Sequence, residues 1–194
     1  MKQIIFIAVI LFSTSVLYAQ KDTGFYKHEV RLSVGDAMIS WGWLRAPDGA
    51  KACYANLTAS YFYRPVKWFW VGGNFINYFG EILHYDQVVY DFDGNITKNS
   101  KSKPKYCAVI APALRFSYLN TKTITIYSTL SGGIGVEDGY DYRNQKFPVI
   151  LFPYVHVTYF GISGNLGKNK NIFVGGESGI GYGSFVSVYG GYRF

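Results

Sequence analysis

The chain has 194 residues, 19% of them aromatic and only 16% charged, with 18 Tyr, 15 Phe and 22 Gly. A soluble domain usually carries about 25% charged residues, and this aromatic, glycine-rich balance favours closely approaching strands. The formal charge of +7 is no argument for nucleic acid if the chain is exported, as its first residues lead one to expect.

Met1-Lys2-Gln3 is followed by the apolar run Ile4 to Phe12 and by Ser13-Thr14-Ser15-Val16-Leu17-Tyr18-Ala19. A charged start, a short apolar core and a small residue before a polar stretch read as a secretory signal peptide over 1–19, cut after Ala19. The run is shorter than the roughly 20 residues of a spanning helix. Later apolar stretches are strand-length, and Val149 to Val155 is interrupted by Pro153. Residues 20–194 are expected to form one exported domain.

That domain shows no 3.6-residue period; it alternates with a period of two, the mark of half-buried strands. Lys27 to Ala37 sets Val30, Leu32 and Val34 against Glu29, Arg31 and Ser33. Ala52 to Tyr63 sets Ala55, Leu57, Ala59 and Tyr61 against Asn56, Thr58 and Ser60. A tight turn at Arg64-Pro65-Val66 leads to Lys67 to Gly80, with Phe69, Val71 and Phe75 opposite Trp70 and Asn74. Lys105 to Tyr118 opposes Ile110, Leu114 and Phe116 to Ala111, Ala113, Arg115 and Ser117. Pro112 lies inside that strand, where a missing N–H predicts a bulge or a local break in pairing. After Asn120-Thr121-Lys122, Thr123 to Val136 sets Ile124, Ile126, Leu130 and Ile134 against Thr125, Tyr127, Thr129 and Ser131. Val149 to Gly161 opposes Val155, Val157 and Tyr159 to His156 and Thr158. Past a turn around Gly167 to Asn171, Ile172 to Tyr182 opposes Val174 and Ile180 to Glu177. The last run, Phe185 to Phe194, puts Val186, Val188, Gly190, Tyr192 and Phe194 on one face.

The result is eight strands, joined alternately by short turns and by longer connections over 38–51, 81–104 and 137–148, with a short last hairpin near Gly183 that breaks the pattern. Aromatic residues cluster at strand ends: Tyr61, Tyr63, Trp68, Phe69, Phe116, Tyr118 and Tyr159 toward the short turns, and Trp41, Trp43, Tyr78, Tyr85 and Tyr106 toward the long connections. Cys53 and Cys107 fall in strands separated by another, which puts them about 9.6 Å apart and beyond disulfide reach; two free thiols are expected, despite an export route that permits disulfides.

The terminal Tyr192-Arg193-Phe194, the opening His28-Glu29-Val30-Arg31-Leu32-Ser33-Val34-Gly35-Asp36 and the aromatic–turn–aromatic hairpins resemble the small eight-stranded outer-membrane barrels of the OmpA-transmembrane-domain and OmpX kind, and the uncharacterised barrels of Bacteroidetes-type bacteria. The resemblance covers the whole mature chain. It implies an all-β, antiparallel, up-and-down transmembrane barrel in the bacterial outer membrane, with short periplasmic turns and longer outer loops. Tyr192 and Phe194 would then be the insertion signal read by the barrel-assembly machinery. Partners would be outer-membrane lipids and lipopolysaccharide, with an extracellular ligand at the three long loops.

An eight-stranded barrel is just wide enough for side chains to fill it. The residues opposite the apolar face, Glu29, Arg31, Asn56, Asn74, Arg115, His156, Glu177 and Arg193, are therefore expected to form a polar interior plug, with Thr58 and Tyr127 on the same face. Buried charges must pair, and Glu29 and Arg193 should meet where the first and last strands close the barrel. No catalytic, cofactor or metal residue is assigned. Asp91-Phe92-Asp93-Gly94-Asn95 lacks the further acidic ligands of a calcium loop and reads better as a hairpin turn at Asp93-Gly94. Lys98, Lys101, Lys103 and Lys105 beside it solvate the loop or grip lipopolysaccharide phosphates, and Trp41, Trp43 and Tyr140 are left without a ligand. Two other readings stand beside a structural or surface-interaction role. One is a lipid-A-modifying enzyme using His28, His84 or His156; the other is a soluble, secreted, lipocalin-like binder.

Overall fold

The computed structural model describes residues 26–36, 51–85, 89–90, 96–97, 100–138, 149–166 and 170–194. The expected signal peptide, Trp41, Trp43, Asp91 to Asn95, Lys98 and Tyr140 lie outside them, as do the side chains of Cys53, His84, Tyr85 and Tyr106. In chain order the strands are β1 (His28–Asp36), β2 (Lys51–Val66), β3 (Phe69–Tyr85), β4 (Val89–Tyr90), β5 (Ile96–Thr97), β6 (Ser100–Asn120), β7 (Ile124–Asp138), β8 (Val149–Leu166), β9 (Ile172–Gly181) and β10 (Val186–Arg193). All except the β4–β5 pair form one closed antiparallel barrel in the order β1-β10-β9-β8-β7-β6-β3-β2. Chain neighbours pair throughout and β10 returns to β1, so the fold is the all-β, eight-stranded, up-and-down barrel that the alternation predicts. Closure leaves no unpaired sheet edge in the barrel.

The two faces are inverted relative to a soluble protein. Leu32 is 62% exposed, Ile110 65%, Ile134 66% and Val188 65%, whereas Glu29 is fully buried. Val30, Leu57, Leu130, Val155, Val174 and Tyr192 join the outward band. A lipocalin-like soluble barrel has an apolar interior, and this inversion is the opposite of what that reading expects.

Several boundaries move. β3 and β6 run on as a paired ribbon from Gly80↔Lys105 to Tyr85↔Ser100, so 81–85 and 100–104 are strand rather than loop. The run Ser100 to Lys105 holds only Ser, Lys and Pro, so its strand character lies in its pairing and not in an apolar alternation. Beyond it β4 and β5 pair through Val89↔Thr97 and Tyr90↔Ile96, flanking the expected Asp93-Gly94 turn. The expected turn at Arg64-Pro65-Val66 instead lies at Lys67-Trp68, with Val66 paired to Phe69. A register irregularity between Tyr63 and Val66 lets Pro65 stay in the strand without giving up a ladder bond. Pro112 pairs in register with Gly73 of β3. On its other side the β7 ladder resumes in unchanged register from Ile110↔Ile134 to Ala113↔Ser131. The missing N–H thus interrupts one ladder locally, and the β6–β7 bulge sits nearer the short turn, between Ser117 and Leu119.

A second bulge between Thr158 and Phe160 breaks alternation in β8, so Tyr159 and Phe160 both face out. The Thr121 turn is closed by its own hydroxyl, which accepts from the Ile124 N–H at 2.9 Å. At the short-turn rim the aromatic residues pack on one another: Trp68 stacks on Phe116 at 6.3 Å, and His28 on Phe194 at 5.2 Å. Tyr78 departs from the expected pattern. It faces inward and is buried, because its place in β3 has the parity of Asn74 rather than of the belt.

Candidate functional site

The lumen is filled in three layers. At the short-turn end lies the first charge cluster, placed by the closure register Glu29↔Arg193. The Glu29 carboxylate accepts from Arg115 Nη1 at 2.6 Å and from Arg193 Nε at 2.8 Å. Arg193 also donates to Asn165 Oδ1 at 2.5 Å and Ser163 Oγ at 3.1 Å, and its guanidinium lies 4.2 Å over Phe173. Arg115 stacks 3.8 Å over Phe62 and 4.5 Å over Tyr127. One carboxylate between two guanidiniums, each resting on a ring face, is how a nearly water-free layer can hold three charges. Below it Arg64 turns inward, packs 5.0 Å over Trp70 and donates to the Lys67 carbonyl.

In the middle layer Arg31 Nη1 donates to Glu177 Oε2 and to the Tyr127 hydroxyl, both at 2.9 Å. Tyr127 donates to Glu177 Oε2 at 3.0 Å, and Ser187 to Oε1 at 3.2 Å. The Tyr189 hydroxyl lies 2.7 Å from that of Tyr127 and donates to the Ile162 carbonyl at 2.9 Å. The side chains of β1, β7, β9 and β10 thus meet on one carboxylate.

The outer layer is closed by the β9–β10 hairpin, which folds into the barrel mouth. Gly181 begins it at φ 122°, a conformation that only glycine adopts without strain. The Tyr78 hydroxyl donates to the Tyr182 carbonyl at 2.5 Å, Asn56 Nδ2 to Ser184 Oγ at 2.7 Å, and the Gly183 N–H to His156 Nδ1 at 3.2 Å. The Tyr182 ring packs on Phe152 and Tyr154 at 5.9 and 6.4 Å. Asn74 donates to Ser131 Oγ beneath, at 3.1 Å. Between this layer and the Arg31–Glu177 pair lies a polar cavity of about 30 Å³, the room of one or two water molecules.

Glycine makes the packing possible. Phe62, Tyr127, Phe152, Phe173 and Tyr189 each sit directly across a strand pair from an inward glycine: Gly72, Gly161, Gly135, Gly191 and Gly175 in turn. A Cβ at Gly135 would come within 2.2 Å of the Phe152 ring, and one at Gly161 or Gly191 within 2.4 Å of Tyr127 or Phe173. Each ring lies over the bare backbone opposite it, which is how eight strands can enclose so many aromatic residues.

All eight interior residues expected from the sequence face the lumen, but they split into separate clusters. Glu29, Arg115 and Arg193 form one; Arg31 and Glu177 form a second; Asn74 with Ser131 stands apart from Asn56, and His156 is held by the hairpin. Sequence reasoning missed Arg64, Tyr189, Ser163, Asn165 and Ser187. For Tyr189 and Ser187 the signal was present, since both share the parity of Arg193. Arg64 was hidden by the misplaced turn. Of the histidines weighed for an enzyme, His156 is buried and faces the lumen, away from the outward band. His28 faces outward at the short-turn rim with Nδ1 2.7 Å from the Tyr61 hydroxyl.

No protein-family model matches the chain, and no curated protein matches it in sequence. Among solved structures it is similar to Ail, the attachment invasion locus protein of Yersinia pestis, crystallised with the heparin analogue sucrose octasulfate. The likeness has a TM-score of 0.47 at 14% identity, over 87% of this chain and 99% of that one.

Proposed function

We propose that this protein is an outer-membrane β-barrel with a structural or surface-interaction role and no enzymatic activity. The short turns at Lys67-Trp68 and Thr121 face the periplasm, and the β3–β6 ribbon projects outward. The observation that carries this reading is the inverted barrel: an apolar band surrounds a lumen of paired charges. In water such a band would be an aggregation surface; in lipid it is the stable arrangement, because every strand bonds to two neighbours. Strands of 15 to 21 residues in β6, β7 and β8 exceed the 9–11 that cross a bilayer. The surplus supplies the rim and the ribbon.

The layered lumen supports a plug rather than a pore, since two ion-pair clusters and an inward hairpin fill it. A lipid-A enzyme would need a reactive histidine open to the outer lipid rim; among the described side chains His156 points into the lumen and His28 lies at the short-turn rim. The Lys101 and Lys103 positions on the ribbon suit lipopolysaccharide phosphates, and Tyr192 and Phe194 on β10 suit capture by the assembly machinery. Cell fractionation with gel mobility before and after heating tests the location. The expected result is outer-membrane recovery and a shift on boiling; a soluble chain with no shift overturns it.

A further inference from the structure

A groove of about 810 Å³ crosses the outward face over β10, β1, β2, β3 and β6. Ala59, Gly73, Pro112 and Gly190 form its low points, and Leu32, Phe75 and Ile110 stand at its sides. Leu32 pairs in register with both Ala59 and Gly190. One row nearer the short-turn rim, Val30 pairs with Tyr61 and Tyr192, and both rings reach toward that rim. The Tyr61 hydroxyl lies 2.7 Å from His28 Nδ1, and the Tyr192 hydroxyl accepts from Asn171 Nδ2 at 3.0 Å. The groove is therefore apolar along its length and polar at one end.

Barrel packing does not require its glycines. A Cβ at Gly73 would meet nothing nearer than 3.7 Å, and one at Gly190 nothing nearer than 3.8 Å. The inward glycines opposite rings would collide instead. Neither groove glycine has a positive φ. What their bareness makes is the groove itself.

We propose that this groove seats one acyl chain of a glycerophospholipid from the leaflet on the short-turn side, with the headgroup against His28, Asn171 and the two tyrosine hydroxyls. The assignment rests on the membrane reading above. An occupant that is apolar along its length and polar at the rim is an amphiphile entering from that side. The His28 imidazole, 2.7 Å from the Tyr61 hydroxyl, and the Asn171 amide together place hydrogen-bonding groups for a phosphate at that end. A second copy of the barrel fits poorly, because Leu32 and Ile110, both more than 60% exposed, would hold another convex wall off the low points.

The test is native mass spectrometry of the folded barrel extracted in mild detergent. Wild type should keep one phospholipid. Gly73→Leu/Gly190→Leu, whose side chains would fill the low points, should lose most of it. Gly164→Leu, also outward, with no atom within 4 Å of its Cβ, should behave as wild type. Equal retention in the double variant, or a folded wild type that carries no lipid, overturns the proposal; so does a dimer lost with the same substitutions. A readout without variants uses wild type in vesicles of a diazirine-tagged phospholipid. Labelling concentrated at Tyr61, Phe75 and Ile110 supports the site, and even labelling around the band overturns it. Failure of the membrane reading would look different, since the chain would then show neither heat-modifiable mobility nor membrane recovery.

Discussion

The two ends of the lumen are closed in opposite ways. At the short-turn end the seal is electrostatic: Glu29 is held by Arg115 and Arg193 within strands whose register is fixed by barrel closure. At the far end the seal is a hairpin, held by the backbone carbonyl of Tyr182, the hydroxyl of Ser184 and ring packing on Phe152 and Tyr154. The first cannot loosen without exposing unpaired charge in a dry layer. The second is made of neutral bonds, each worth about 1 kcal/mol, and can be released one contact at a time. The lower seal should therefore control whether the barrel is stable, and the upper one how tightly its mouth is shut.

The largest effect should come from breaking the lower seal. Glu29→Ala leaves two buried guanidiniums without their carboxylate and should cost about 3–5 kcal/mol in urea unfolding of the refolded barrel. A loss under about 1 kcal/mol would mean that water reaches this layer. Next come Leu130→Arg and Ile134→Arg on the outward band. Each should cost about 2–4 kcal/mol in lipid, read from the denaturation midpoint in vesicles, and little if the band faces water. Gly135→Val drives a side chain into the Phe152 ring and should cost about 1–3 kcal/mol; Gly164→Val, with open space around its Cβ, should cost much less. The smallest effect belongs to the upper seal. Tyr78→Phe should cost about 1 kcal/mol yet raise the frequency of brief current steps in planar bilayers, whereas Glu29→Ala should act mainly on stability.

These differences also show what could be read from the chain. The alternation of β1, with Val30, Leu32 and Val34 against Glu29, Arg31 and Ser33, determines both which face is apolar and which residues line the lumen, because parity is a local property of a strand. Ring closure followed from it, and so did the meeting of Glu29 with Arg193. What parity cannot carry is height along the axis. The split of the interior residues into clusters depends on stagger between strands, and on bulges such as the one beside Tyr159 that shift one ladder against the next. The β9–β10 hairpin was legible only as a connection too short for its side of the barrel. Its inward fold rests on a backbone turn at Gly181 and on rings from β3 and β8, contacts made across more than a hundred residues in the case of Tyr78. The Ser100 to Lys105 arm of the ribbon was invisible for the opposite reason: its Ser, Lys and Pro residues carry no apolar alternation, so nothing in its pattern marks it as strand.

The central claim is that the apolar band, and not the lumen, meets the bilayer. Spin labels placed singly along β7 of the barrel reconstituted in vesicles test it most directly, by their collision with oxygen and with a water-soluble nickel chelate. Labels at Leu130 and Ile134 should collide freely with oxygen and hardly at all with nickel, while labels at Thr129 and Ser131 should be shielded from both. If Leu130 and Ile134 are as open to nickel as a soluble surface site, the band faces water and the account is wrong.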